Sequence, residues 1–397
     1  MRTTIRCNIT SSAVSTMSQL SSQITRQKKQ KMLLHIGAPK CASSTLQAYL
    51  TNMFSKSYMF SEGRKVNRSG GDRIRYFVLG ENEMCLSGRQ LKKLGRKSHS
   101  GFVSTLSLSA LGKNFEIGLQ NILAQLKPGE IPILSSEAWM HQRLPENMHN
   151  VFERLDIDVE IFAVVRPPVE YINSSWWQWG VWSKPGICQY TEWQAPATMW
   201  HQYLSYWEQV PGVSRLDVID IRDAPLESFK KFLGASDNWN EAFNLGSSAA
   251  LIDFLLSQPG HLGRTPNFPE IEFCLNRYVN QPPCTKPFLM GSKLLEIAIN
   301  ATKDSVYQNQ RFFSNPAWRE AHITDPAYTS IEYYQGRELR RMGNIASSQE
   351  QYDIRVALAK YFTSNPRPDW LPASYDISKL VKEVEAGVRE FGTDLKT

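Results

Sequence analysis

The segment Lys31 to Phe54, KMLLHIGAPKCASSTLQAYLTNMF, limits the folds open to this chain more than any other stretch. Met32 to Ile36 is an apolar run with the length of a buried strand in a parallel sheet. Gly37-Ala38-Pro39-Lys40 makes a tight turn, and Ser43, Ser44 and Thr45 are hydroxyl residues of the kind that cap a helix. Leu46, Tyr49, Leu50, Met53 and Phe54 then recur at helical spacing and form one apolar face. A strand, a small-residue turn with a lysine, and a helix together aim backbone N–H groups and a positive helix end at an anion. The pattern GxxxxGK[ST] cannot be fitted to this turn, so it is not a Walker A loop.

The same alternation returns further along. Phe115, Leu119, Ile122, Leu123 and Leu126 trace a helix stripe that Pro128-Gly129 ends. Ile131 to Ser135 reads as a strand leading into Ser136-Glu137. Val159 to Val165 is a second covered strand, closed by Arg166-Pro167-Pro168, and Val169 to Trp179 has helical potential. Leu216 to Ile221 reads as a strand. Asp223-Ala224-Pro225 then opens a helix that buries Leu226, Phe229, Phe232 and Leu233 and stops at Gly234.

Strands separated by helices predict an α/β fold, a P-loop-like doubly wound parallel sheet flanked by helices. Ligands of such sheets sit beyond the carboxyl ends of the strands. Lys40, Glu137 and Arg166 each follow a strand, so topology alone predicts that they gather at one edge.

The remaining stretches are less regular. Residues 1–31 are polar and basic without an acidic residue, and read as a disordered or targeting extension of a single domain. Ser55 to Gly112 reads as irregular, with short helical pieces near Asn82 to Leu94. From about Pro259 the chain is loop-rich and then helical, with Leu294, Leu295 and Ile297 in one apolar patch. Ile331 to Met342 is a basic helix or turn. The division expected is 1–31, a main domain over 32–345, and a helical segment over 346–397.

Hydrophobic content of 42% and charge of 21% are those of a globular protein. A net charge of +7 suits anionic ligands such as nucleotides or acidic glycans. No basic stretch interleaved with aromatics points to nucleic acid, so no nucleic-acid partner is expected. The six cysteines are scattered without zinc spacing, which predicts no structural metal and a reducing compartment. No apolar run approaches the length of about 20 residues that crosses a bilayer. A cytoplasmic protein without a transmembrane segment is expected, with a targeting role for residues 1–31 as the alternative.

The order Pro39-Lys40-Cys41-Ala42-Ser43-Ser44-Thr45 resembles the 5′-phosphosulfate loop of sulfotransferases that use 3′-phosphoadenosine 5′-phosphosulfate (PAPS). The passage VVRPPVEYINSSWWQ resembles the 3′-phosphate segment of the same family, in which an arginine ends a strand and a serine follows eight positions later. Arg166 and Ser174 have that spacing, and Pro168 lies where the family's proline usually falls. A guanidinium can hold a phosphate in bidentate fashion, with the serine hydroxyl donating to the same group.

The resemblance covers about residues 32 to 235, including LDVIDIRDAPLESFKKFLG, and favours bacterial and carbohydrate-type members. Departures are Ala42 in place of the loop's usual glycine, Pro167 in place of a common asparagine, and Thr45 where cytosolic members stack a tryptophan on adenine. The C-terminal adenosine segment of cytosolic members is not recognisable, and Arg311 or Arg337 are the candidate substitutes for its phosphate contacts.

The resemblance implies transfer of a sulfuryl group from PAPS, as co-substrate, to a hydroxyl or amine of a carbohydrate, glycolipid or other small-molecule acceptor, with no metal. Lys40 would stabilise the leaving phosphate. Glu137, after the strand Ile131 to Ser135, would be the general base, and His141, four residues on and on the same helical face, the alternative. Ser135 stands where the family often has an auxiliary lysine. Of Trp176, Trp177, Trp179, Trp182, Trp193, Trp200 and Trp207, most are expected in the core and one or two, such as Trp179 or Trp182, at an acceptor groove. Two other readings stay open: a P-loop kinase-like phosphotransferase, and a protein that binds PAPS or its desulfated product without turnover.

Overall fold

The computed structural model describes residues 29–54, 73–80, 85–87, 102–183, 186–240, 246–258, 270–279, 287–337, 339–340, 344–366 and 377–394, with positions 260, 262, 265 and 368. Its centre is a six-stranded sheet: β1 (Gln30–His35), β2 (Ile74–Leu79), β3 (Cys85–Ser87), β4 (Ile131–Ser135), β5 (Ile157–Val165) and β6 (Val213–Asp220). The order across the sheet is β3-β2-β4-β1-β5-β6, and every neighbouring pair is parallel except β3 on β2. The α/β architecture with a largely parallel sheet is therefore as expected.

β1 is central, and its register explains its composition. Leu34 lies between Leu134 and Ile161, and all three are fully buried. One step on, His35 lies between Ser135 and Phe162, so a histidine and a serine share one face at the strand ends. α1 (Ser43–Met53) returns from the loop and buries Leu46, Tyr49 and Leu50 against the sheet. α2 (Asn114–Gln125) runs between β3 and β4 with Phe115, Leu119 and Ile122 inward. α3 (Pro168–Gln178) follows β5. α4 (Ile187–Gln194) and α5 (Trp200–Glu208) lead back to β6, and α6 (Pro225–Leu233) ends at Gly234 in the left-handed conformation, φ 64°.

Three local expectations need correction. β1 begins at Gln30, so the sheet takes in residues assigned to the N-terminal extension; residues 1–28 lie outside the described residues. The stretch Ser55 to Gly112 contains β2, whose RYFVL core was masked by polar, glycine- and serine-rich flanks. Arg75 stays within this strand because Glu130 accepts it at 2.8 Å. Residues 85–87 form an edge strand, not a helical piece, and the rest of Asn82 to Leu94 lies outside the described residues. A three-residue edge strand beside polar sequence carries almost no periodic signal of its own.

C-terminal helices form a second core. α7 (Ala249–Ser257), α8 (Glu270–Tyr278), α10 (Ser348–Ser364) and α11 (Ile377–Asp394) bury Leu251, Phe254, Leu275, Ile354, Leu358 and Val384 together, so the 346–397 segment packs with elements from the 249–279 stretch. α9 (Ser292–Asn309) belongs instead to the main core through Leu294, Leu295 and Ile299. In the basic stretch from Ile331, Glu332–Tyr334 is a short helical turn, and residues 338 and 341–342 lie outside the described residues. Trp176, Trp177, Trp200 and Trp207 are core residues, whereas Trp179 and Trp182 are half-buried and Trp193 is exposed. No helix among the described residues is long and apolar enough to cross a membrane.

Candidate active site

β1, β4 and β5 are parallel, so their carboxyl ends deliver Lys40, Glu137 and Arg166 to the same edge of the sheet. The Lys40 loop is tightly wound. Cys41 N–H and the Ser43 hydroxyl both donate to the Ala38 carbonyl, at 3.2 and 3.1 Å, and Thr45 N–H donates to the Ala42 carbonyl at 3.0 Å. Lys40 and Ala42 are both left-handed, each with φ 62°. That conformation costs a residue with a side chain roughly 1–2 kcal/mol. Left-handed turns so close together gather amides into a concavity of the kind that binds anions, and the positive end of α1 opens beside it. Ala42 occupies the position where the resemblance expects glycine, and its backbone adopts the glycine-type conformation at a steric cost.

Arg166 joins this loop directly: its Nη1 donates to the Lys40 carbonyl at 2.9 Å. Its Nε is buried and has no hydrogen-bond partner among the described residues. The carboxylate of Glu170, one turn along α3, stands 3.7 Å from Nε and also pairs with Arg337 Nη2 at 3.3 Å. Two guanidiniums thus close on one carboxylate beside the loop. Ser174 lies a further turn along the same face of α3, half-buried, and its hydroxyl has no partner among the described residues. Arg337 is therefore brought to the site and Arg311 is not. Arg311 pairs with Glu208 at 2.9 Å and lines a hollow with Val213 and Arg215, at the opposite end of β6.

Burial pushes the Lys40 ammonium down to about 8, Arg166 adds to the effect, and Glu272 and Glu137 oppose it. No carboxylate among the described residues comes within ion-pairing distance of it. Glu137 is half-buried in the turn after β4; burial raises its carboxyl above the usual range and Lys40 opposes the rise. A carboxylate made more basic in this way, beside a lysine made less basic, suits proton removal next to anion stabilisation. Cys41 is completely buried and its thiol is pushed up to about 12, so it packs rather than reacts.

His141 does not share a helical face with Glu137, because Glu137 lies in a turn and His141 ends the separate short helix Trp139–His141. Its Nε2 is held by the Ala197 carbonyl at 2.9 Å, and its ring packs on Trp200 and Tyr203. That engagement makes it part of an aromatic wall.

Three residues of the site escaped sequence reasoning. Glu170 is one carboxylate among many on helix surfaces. Glu272 sits on α8, in sequence where the resemblance has faded; its carboxylate accepts from the Ser247 hydroxyl, which accepts from Asn276 Nδ2 at 2.6 Å. His35 had a signal, a polar residue inside an apolar strand. It is completely buried, with Nδ1 2.8 Å from the Ser135 hydroxyl and Nε2 unpartnered among the described residues, and burial pushes it down to about 3. No protein-family model matches the chain, and no curated protein matches it in sequence.

Proposed function

We propose that this protein is a PAPS-dependent sulfotransferase, of the P-loop-like doubly wound class, that moves a sulfuryl group to a hydroxyl or amine of a carbohydrate or glycolipid acceptor. The observation that carries the reading is the contact of Arg166 with the Lys40 carbonyl while Arg166 Nε stays buried without a hydrogen-bond partner among the described residues. Two cationic segments from separate strand ends meet, and the arginine keeps a buried donor with no partner among the described residues. A buried donor left unmade costs free energy that an anion recovers. The chain leaves β1 toward β2 on one side and leaves the adjacent strand β4 toward β5 on the other, and ligands of open α/β sheets bind at such a reversal.

In this reading Lys40 and the loop amides hold the phosphosulfate end of the donor. Arg166, with Ser174 and Arg337, holds the 3′-phosphate end, taking over from Glu170. The donor supplies an activated sulfur–oxygen bond. Glu137 removes the proton from the acceptor oxygen, which forms its bond to sulfur as the bond from sulfur to the 5′-phosphate oxygen breaks. The electron pair passes to that phosphate oxygen, where Lys40 neutralises the growing charge without needing to reorganise. Trp179 and Trp182, half-buried after α3, are the aromatic faces proposed for a sugar acceptor.

The test is thermal-shift titration with PAPS, its desulfated product adenosine 3′,5′-bisphosphate, and ATP–Mg²⁺, followed by transfer of labelled sulfate to a glycan panel. Stabilisation by both adenosine bisphosphate ligands and sulfation of at least one glycan are expected. Stabilisation by ATP–Mg²⁺ alone would transfer the site to a kinase. Tight PAPS binding with no transfer to any acceptor would leave a binding protein. Glu137→Gln is expected to lower turnover by roughly 100-fold or more while donor affinity holds.

A further inference from the structure

His35 stands between the two halves of the site. Its carbonyl accepts from Ser136 N–H at 3.0 Å and its Nδ1 contacts the Ser135 hydroxyl, so backbone and side chain both grip the segment that delivers Glu137. The other ring nitrogen faces the anion loop. A methyl group added at Gly37 would lie 2.6 Å from His35 Nε2 and closer still to the Ser43 hydroxyl, so these two polar atoms flank one small space beneath the loop. They are not bonded there. Ser43 donates to the Ala38 carbonyl, and Nε2 has no partner among the described residues, in a fully buried ring walled by Phe162 and Phe229.

We infer that His35 is a positioning residue that couples donor occupancy to the base: when an anion enters the loop, the Ser43 hydroxyl turns from Ala38 to the anion and accepts a hydrogen bond from His35 Nε2–H. Resting on the sulfotransferase reading, this relay runs Ser135 hydroxyl to His35 Nδ1, His35 Nε2–H to the Ser43 oxygen, and Ser43 O–H to the donor's phosphosulfate. The neutral ring with its hydrogen on Nε2 fits each link, since Ser135 is then a donor and Ser43 an acceptor. An unmet buried donor in the empty protein becomes satisfied only with the anion in place, so part of donor affinity comes from relieving it. The ring also carries the consequence to Ser135 and Ser136, immediately before Glu137. Donor binding thereby fixes the base segment before the acceptor reacts.

The experiment combines two measurements on the full chain. ¹⁵N spectra of histidine-labelled protein, with His35 identified by its loss in His35→Gln, follow addition of adenosine 3′,5′-bisphosphate and, separately, of pyrophosphate. Binding and unfolding of the double variant His35→Leu with Ser135→Ala are compared with wild type. The pattern of an Nε2–H ring is expected, with Nε2 shifting on anion addition. The double variant should unfold at the same temperature or higher, because an unmet donor has gone, yet bind adenosine 3′,5′-bisphosphate roughly tenfold more weakly. His35→Gln, whose amide N–H can donate, should recover most of that loss. A merely structural histidine would lower stability and affinity together.

An Nε2 resonance that stays put while the bisphosphate binds, or a double variant within twofold of wild-type affinity, overturns the relay and leaves the donor reading standing. A wild type that ignores the bisphosphate but shifts Nε2 with pyrophosphate overturns the donor reading and supports the relay. Response to neither ligand overturns both.

Discussion

Two charged clusters lie beyond the carboxyl edge of one sheet and differ in how completely their members satisfy each other. At the end of β6, Asp220 is fully buried and accepts from Arg222 N–H, Nε and Nη2 and from the Tyr328 hydroxyl, at 2.6 to 2.9 Å. Arg222 also pairs with Asp325 at 2.5 Å and lies over the rings of Trp318 and Tyr328. Carboxylates and guanidinium saturate one another, and the arginine is held still more firmly in its charged form. After β1 and β5, Lys40 has no direct counter-charge among the described residues, Arg166 Nε is unmet, and two residues hold left-handed backbone. A closed network ties chain to chain. An open one, which costs the empty protein free energy, is built for something that arrives.

That contrast predicts opposite responses to substitution. The largest effect expected is on stability: Asp220→Ala, which leaves Arg222 with Asp325 alone and the buried Tyr328 hydroxyl without its acceptor, should cost about 3 kcal/mol or more in urea unfolding. Affinity of the folded protein for adenosine 3′,5′-bisphosphate should stay within about threefold, because no bond of that cluster reaches the Lys40 loop. A loss of affinity without a loss of stability would erase the distinction between the clusters. Lys40→Met should do the reverse, weakening the bisphosphate by about 100-fold or more with stability held or raised, read by calorimetry and denaturant titration on the same sample.

A third effect, smaller and graded, is expected from pH. Lys40 titrates at about 8 in the folded protein against 10.5 for the ordinary group. Between these values the unfolded chain keeps a proton that the folded protein has released, so this group makes stability rise with pH across that window. Donor affinity should fall over the same window as the positive charge disappears, and Lys40→Met should flatten both trends. Affinity unchanged from pH 7 to 9.5 in wild type would remove Lys40 from the anion site. Smallest is Ala42→Gly, expected to stabilise the protein by about 1 kcal/mol by relieving the left-handed alanine, with donor affinity intact. Unaltered or lower stability would mean that the loop backbone is set by its surroundings and not by the residue at 42.

How far the sequence could be read follows the distance over which each feature is decided. The helix after Lys40, the turn at Gly234 and the strand Ile131–Ser135 were legible because periodicity and caps act within a few residues. β2 was not, since its identity as a parallel strand depends on β4 beside it and on Glu130 to accept Arg75. The meeting of Lys40 and Arg166 could be anticipated from parallel topology. The part played by Glu170, Glu272 and His35 could not, because each acts through partners far away along the chain or through burial that no local pattern encodes.

By itself the sequence determined a chain of apolar strands and amphipathic helices, with a lysine, a glutamate and an arginine each placed just past a strand end. Short-range sterics and hydrophobic spacing are enough for that. Which of its charges were to be neutralised, and which left waiting beside a buried histidine, was decided only when distant segments packed together. Pairing is a matter of distances between side chains, and the cost of an unpaired group is set by how much water the fold leaves around it.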